Sequence, residues 1–119
     1  MAWYRFVIRS QATLVTTEAV LWEWLNALSE SHSRAIAAEG YRRTHADTLI
    51  EVVSFEPELI AASVELYRHR RDKDWSVTDC LSFVVMQGQG ITAALTTDHH
   101  FGQAQFQALM LANPPELNR

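Results

Sequence analysis

The sequence has few of the features that mark secreted, membrane-spanning or nucleic-acid-coating proteins. Its single cysteine, Cys80, excludes an internal disulfide framework and suits a reducing cytoplasm. No apolar run approaches the roughly 18 residues that a membrane helix needs. The first ten residues, MAWYRFVIRS, carry basic side chains inside their apolar stretch, unlike a signal peptide. We therefore expect a cytoplasmic protein that is not associated with a membrane.

The net charge and the absence of linkers narrow the class further. A formal charge of −4 argues against coating nucleic acid by bulk electrostatics, but it is compatible with an acidic site that acts on nucleic acid through metal ions. The 119 residues include 48% hydrophobic and 20% charged residues, as in an ordinary globular domain. No repeat or linker interrupts the chain, and paired prolines predict a loose tail over 112–119. We expect one domain over 1–119.

Short β-prone runs alternate with segments of helical spacing. Thr17, Ser33 and Ser76 stand where they would begin helices, Pro57 suits a first helical turn, and Gly88 and Gly90 are expected to stop a helix. The predicted strands are ATLVT, TLIEVVSF, AALTTD and FQALML, and the predicted helices cover 17–28, 33–45, 58–70 and 76–87. A further helix is predicted between the last two strands, and the order strand, helix, helix, strand, helix, helix, strand, helix, strand predicts an α/β fold with a mainly parallel sheet and helices on both faces.

The N-terminal segment fits two structures equally well. Tyr4, Phe6 and Ile8 alternate as they would in a strand, whereas Trp3, Phe6 and Val7 have helical spacing. Periodicity does not distinguish a strand from a helix in so short an apolar run.

Three acidic residues lie where a parallel sheet binds its ligands, beyond the carboxyl ends of the strands. Glu23 is in the second turn of the helix after the first strand, Asp79 is in the first turn of its helix, and Asp98 follows the run ALTT. Each also has a purely structural interpretation. Glu23 can be a solvated glutamate, Asp79 can complete a capping box with Ser76, and Asp98 can form a turn or cap a helix.

The three acids together predict a metal site. Carboxylates that converge at one sheet edge repel one another unless a cation or a shared proton lies between them. Oxygen ligands with open positions suit Mg²⁺ or Mn²⁺, which can activate water for hydrolysis of a phosphate ester. We expect the hydroxyl groups of Ser76, Thr78 and Thr97 to bind water or orient the acids.

Three segments, VTTEAVLWEWLNAL, DKDWSVTDCLSFVVM and GITAALTTDHHF, resemble the PIN-domain ribonucleases, especially the VapC-like toxins of bacterial toxin–antitoxin pairs. The resemblance covers 12–111 and implies a three-layer α/β/α fold. It implies that Glu23, Asp79 and Asp98 are catalytic metal ligands for Mg²⁺ or Mn²⁺, with Asp72 in a supporting position. It also implies an RNA substrate and an antitoxin protein as a partner.

The sequence departs from this family at its N-terminus. Family members open with a strand that carries an aspartate, but no acid precedes Glu18. The resemblance therefore implies that the first family strand and its metal ligand are missing from this chain. Three alternatives remain open: an upstream start codon, a strand formed by WYRFVIRS, or pairing of two chains. Pairing of two chains would produce a homodimer, in which the two chains could also exchange structural elements.

The sequence gives less support for a functional role of the basic cluster and of the histidines than for one of the three acids. Arg70, Arg71 and Lys73 are typical of a solvated helix end, and the alternative is a rim that steers RNA phosphates toward the acids. The spacing of His69, His99 and His100 matches no structural zinc pattern.

Two functions follow from the sequence. The first is a metal-dependent endoribonuclease that uses Glu23, Asp79 and Asp98. The second is a catalytically impaired PIN-like module that acts by dimerisation or by binding a partner such as an antitoxin.

Overall fold

A computed structural model of the chain describes residues 2–115 and contains six α-helices, four short strands and one 3₁₀ turn over that range. The helices are α1 Ala2–Ser10, α2 Glu18–Ala27, α3 Arg34–Ala46, α4 Pro57–His69, α5 Val77–Gln89 and α6 His99–Gln103. The strands are β1 Leu14–Thr17, β2 Ile50–Val53, β3 Ala93–Ala94 and β4 Gln107–Ala108. From β1 onward, the order of helices and strands is the predicted one, and the strands are parallel as predicted for this α/β class.

All four strands pair in parallel, but they form two separate pairs. β1 pairs with β2 from Leu14 opposite Ile50 to Thr17 opposite Val53. β3 pairs with β4 through Ala93 opposite Gln107 and Ala94 opposite Ala108. Within the described residues the sheet is therefore divided into two two-stranded sheets, and no strand joins them.

The N-terminal segment is a helix within the described range. In α1 the Trp3 ring meets the Phe6 ring edge-on, with centroids 5.4 Å apart, and the Trp3 indole N–H donates a 2.8 Å hydrogen bond to the carbonyl of Ala112. The hydrogen bond connects α1 to a residue near the far end of the chain. Of the two alternatives for WYRFVIRS, the helix is the one that forms, so between residues 2 and 13 there is no strand.

Helix α5 contributes to both parts of the core. On one side, Leu81 and Val85 pack with Ala19 of α2 and with the partly buried Val15 and Val53 of the first sheet. On the other side, Cys80 and Phe83 pack with Trp75. Phe101, Ala104 and Phe106 extend this second cluster toward the second sheet. The two sheets are thus positioned by a shared helix, because burial of its apolar faces anchors both.

Two predicted boundaries differ most from the structure. Helix α5 continues through Gly88 and ends where Gly90 adopts the left-handed conformation, with φ of 68°, which glycine tolerates without strain. The run FQALML forms only two strand residues before a 3₁₀ turn at Leu109–Leu111.

The C-terminal tail, the number of domains and the hydrophobicity of the helices were also predicted from the sequence. Residues 112–115 of the predicted tail contain no helix or strand, and 116–119 lie outside the described residues. The single-domain organisation over 1–119 stays a prediction. None of the helices in the described part of the chain is long and apolar enough to cross a membrane.

Candidate active site

Asp79 is held at the N-terminus of α5 by a reciprocal pair of hydrogen bonds with Ser76. The backbone N–H of Asp79 donates to the Ser76 hydroxyl at 3.0 Å, and the backbone N–H of Ser76 donates to Oδ2 of Asp79 at 3.2 Å. This is a capping box, which satisfies two backbone donors that an open helix end leaves unpaired. The carboxylate is consequently fixed in direction, and its side chain is 17% exposed.

Asp98 caps the short helix α6 just beyond strand β3. Its Oδ1 accepts a 2.9 Å hydrogen bond from the backbone N–H of His100, and its own N–H donates to the hydroxyl of Thr96 at 3.0 Å. The strand end and the helix start together fix the position of this second carboxylate. The structural interpretations of Asp79 and Asp98 as caps are therefore both correct, and a cap also aims a carboxylate.

His100 connects the two acids. Its Nδ1 atom lies 3.2 Å from Oδ2 of Asp79 and 3.2 Å from Oδ1 of Asp98. Neither contact has the alignment of a hydrogen bond, so this buried nitrogen has no hydrogen-bond partner among the residues that the structure describes. Sequence reasoning assigned His100 no role, although it stands inside the LTTDHHF motif, two residues after Asp98.

An aromatic cluster holds α6 against α5. The Phe83 ring packs edge-on against Trp75 and Phe101, each with a centroid distance of 4.9 Å. The Trp75 indole N–H donates a 3.0 Å hydrogen bond to Oε1 of Gln103, in the last turn of α6. Because Trp75 and Phe83 are almost completely buried, this cluster fixes the distance between the starts of the two helices. It thereby determines how closely Asp79 and Asp98 approach.

Glu23 stands apart from this pair. It is exposed on α2 and lines a mostly apolar groove of about 420 Å³ together with Thr78, the residue before Asp79. Within residues 2–115, the group of three or more potential metal ligands whose donor atoms all lie within 4.8 Å of one another is Asp98, His99 and His100. Neither Glu23 nor Asp79 is in that group: Asp79 meets it through the 3.2 Å contact with His100, and Glu23 lies on the adjoining surface beside Thr78.

The predicted supporting residues have different surroundings. Ser76 contacts Asp79 directly, and Thr78 lines the groove beside Glu23. Thr97 is exposed, and the hydroxyl that contacts Asp98 belongs to its neighbour Thr96.

The predicted basic rim is organised around Asp72 and Trp75. The Arg70 guanidinium donates to both carboxylate oxygens of Asp72, at 3.0 and 3.1 Å, and stacks on the Trp75 ring at 4.7 Å from the centroid. The ion pair lowers the pKa of Asp72. Lys73 lies 3.9 Å from the same carboxylate, and Arg71 is exposed. Asp72 is therefore a partner of the cationic cluster at the end of α4.

Glu18, the first residue of α2, is also engaged. Its carboxylate accepts hydrogen bonds from the Tyr41 hydroxyl at 2.9 and 3.1 Å and contacts Nε2 of His45 at 2.5 Å. The hydrogen bond to Glu18 raises the pKa of Tyr41. These contacts connect α2 to α3, so the carboxylate of Glu18 is engaged in holding the two helices together.

The residues at the two helix starts fit a divalent cation. They supply two carboxylates and one buried nitrogen that lacks a hydrogen-bond partner. Oxygen ligands of Mg²⁺ lie about 2.0–2.1 Å from the ion in an octahedron, so neighbouring ligand atoms on one ion are about 3 Å apart. The 3.2 Å distances from Nδ1 of His100 to each carboxylate are close to that separation, whereas one ion held by both aspartates would require Asp79 to lie closer to Asp98 than it does in the described structure.

Comparison with known proteins identifies the family of this fold. The search of curated proteins gave no match. Among solved structures, the chain is similar to VapC20 from Mycobacterium tuberculosis, described as a toxin that cleaves the Sarcin-Ricin loop. The TM-score is 0.76 and the identity 23%, over 92% of this chain and 82% of the other. The PIN domain model matches residues 1–107. The chain therefore belongs to the PIN domain family.

Proposed function

We propose that this protein is a divalent-metal-dependent endoribonuclease that hydrolyses RNA phosphodiesters, as a toxin of a toxin–antitoxin pair does. The observation that carries the proposal is the approach of Asp79 and Asp98 to the same His100 nitrogen, at 3.2 Å each, in a chain of the PIN family. Two acids gathered at neighbouring helix starts form the kind of site that retains Mg²⁺ or Mn²⁺.

In this proposal each acid has a defined task. Asp79 and Asp98 hold the ion, and Glu23 completes its shell from the α2 side of the groove, directly or through a water molecule. When bound, a divalent ion supplies an activated water and neutralises charge on the phosphate. Ser76 and Thr96 keep the two aspartates aimed by their hydrogen bonds. Arg70, Arg71 and Lys73 attract the RNA backbone to the neighbouring surface.

Metal-dependent RNA cleavage tests this function. The purified chain is incubated with RNA and Mn²⁺ or Mg²⁺, with EDTA in a parallel reaction, and Asp79→Asn and Asp98→Asn are compared with the wild type. We expect cleavage by the wild type that EDTA abolishes and that neither variant supports. Cleavage at wild-type rate by both variants would contradict the proposal.

The second candidate function is a PIN-like module that acts through protein contacts. It is favoured by the exposed apolar side chains around the Glu23 groove, where Trp22, Phe55 and Val64 are 56%, 41% and 49% exposed. Exposed apolar surface of this extent is typical of an interaction site. The same surface also suits the partners proposed for a toxin, namely an antitoxin or a second copy of this chain.

The homodimer is a separate proposal with its own support. The two two-stranded sheets leave strand edges with backbone groups that an added strand would satisfy. Two chains could meet this need by pairing or by exchanging elements. Light scattering during size-exclusion chromatography measures the mass directly. A mass of one chain, 13.6 kDa, at all concentrations would exclude the dimer.

A further inference from the structure

His100 differs from the other candidate ligands because it offers nitrogen where they offer oxygen. Its Nδ1 atom is buried, lacks a hydrogen-bond partner among the described residues, and lies between two carboxylates. A buried polar atom without an aligned hydrogen bond is poorly compensated for the water it has lost, and at this atom the compensation is limited to the 3.2 Å contacts with the two carboxylates. An ion that binds this nitrogen together with the acids would supply the bond that the described residues do not make.

The ring has limited freedom to find another partner. Its side chain is 21% exposed, and its backbone N–H is bound to Asp98. The neighbouring Phe101 is packed on Phe83 in the aromatic cluster. The rigid start of α6 therefore keeps Nδ1 directed at the space between the two acids. The adjacent His99 is different, since its side chain is 74% exposed and its Nδ1 lies 3.9 Å from Asp98.

The geometry points to His100 Nδ1 as a protein ligand of the same ion that Asp79 and Asp98 hold, so that the site has mixed nitrogen and oxygen donors. This inference rests on the proposed function, whose metal site it completes. A nitrogen ligand favours ions later in the first transition series over Mg²⁺, which binds oxygen donors preferentially. The site should accordingly select Mn²⁺, and Co²⁺ still more, against Mg²⁺.

Pulsed EPR of bound Mn²⁺ tests the ligand directly, without using catalysis. A coordinated imidazole couples its nitrogen nucleus to the electron spin of the ion. We expect this nitrogen coupling in the wild type. His100→Asn should abolish it, because asparagine puts an amide oxygen near the position of Nδ1. The matched control is His99→Asn, in which the coupling should persist.

Affinity measurements provide a second readout. We expect calorimetry to show that His100→Asn weakens Mn²⁺ binding about tenfold or more, as loss of groups around a metal commonly does. Mg²⁺ binding should change less, so the ratio of the two affinities should fall. His100→Gln is measured as well, and a thermal melt identifies which variants are folded.

The possible outcomes separate this inference from the proposed function. Mn²⁺ bound to the wild type without nitrogen coupling, or coupling that a folded His100 variant retains, overturns the inference and leaves the nuclease intact. Loss of coupling in His99→Asn also overturns it, because the ligand would then be the other histidine. Absence of any Mn²⁺ binding overturns it too. Nitrogen coupling in a protein that cleaves no RNA supports the inference and contradicts the proposed function.

Discussion

The Asp79 carboxylate accepts a hydrogen bond from the Ser76 backbone while the same oxygen, Oδ2, lies 3.2 Å from Nδ1 of His100. One atom thus closes a helix cap and belongs to the candidate metal site. The proposed function therefore makes both stability and activity depend on this atom, and substitutions of Ser76 and of Asp79 should separate the two effects.

Ser76→Ala should cost stability while leaving part of the activity. It removes the hydroxyl that accepts a hydrogen bond from the Asp79 backbone N–H. Loss of a typical N-cap side chain lowers the free energy of unfolding by about 1 kcal/mol. Asp79→Asn should cost less, because the amide oxygen can still accept from Ser76, yet it should abolish cleavage. Urea denaturation and an RNA cleavage assay on both variants measure the two effects. If Asp79→Asn retained cleavage and Ser76→Ala lost it, the assignment of Asp79 as a ligand would be wrong.

Glu23→Gln should reduce metal-dependent cleavage without changing the melting temperature. Glu23 is exposed, so its substitution removes no buried contact, whereas a role in binding the ion requires its negative charge. Glu30→Gln is a matched control on another exposed glutamate, and it should leave cleavage unchanged. Equal activity in the wild type and both variants would remove Glu23 from the site.

Arg70→Ala should weaken RNA binding in an Asp79→Asn background that does not cut the substrate. Removal of one contact with an RNA phosphate should reduce the magnitude of the slope of log affinity against log salt concentration by about one. Arg68→Ala is the matched control, since Arg68 lies in the last turn of α4 and is similarly paired, with Glu65. Fluorescence anisotropy over a range of salt concentrations measures both. An identical slope for the two variants would refute the steering role of Arg70.

Two glycine substitutions should have opposite signs. A Cβ atom at Gly40 would overlap the Trp24 ring, so Gly40→Ala should destabilise the protein by about 1–3 kcal/mol, as overpacking does. A Cβ at Gly88 meets nothing within 4 Å, so Gly88→Ala within α5 should stabilise it by about 0.5–1 kcal/mol. Thermal unfolding of both variants checks the sign. A stable Gly40→Ala protein would mean that α2 and α3 pack differently.

Cys80 should resist alkylation while the protein is folded. The thiol has 0% exposure, and burial together with the neighbouring Asp79 raises its pKa. A raised pKa means that less of the reactive thiolate is present at any given pH. Iodoacetamide labelling followed by mass spectrometry should therefore require denaturant at neutral pH. Rapid labelling of the native protein would contradict the packing of Cys80 against Trp75 and Phe83.

Helix starts and the alternation of strands and helices could be predicted from the sequence, because their causes are local. Thr17 and Ser76 accept hydrogen bonds from backbone groups three residues ahead, so the starts of α2 and α5 could be read from single residues. Alternation of β-prone runs with helical spacing gave the α/β class and the parallel pairing. Local patterns also placed Asp79 and Asp98 at the starts of helices. The metal-binding roles of these residues and of Glu23 stay predictions.

Features that depend on contacts between distant segments could not be predicted in this way. Periodicity left the N-terminus open, and contacts such as the hydrogen bond from Trp3 to Ala112 belong to the helix that formed there. The division of the strands into two pairs depends on pairing between segments far apart in the sequence. Only packing of α6 on α5 through Phe83 and Phe101 brings His100 between the two aspartates. The reason is physical: a cap needs one neighbour along the chain, whereas a site needs two helices held at a fixed separation.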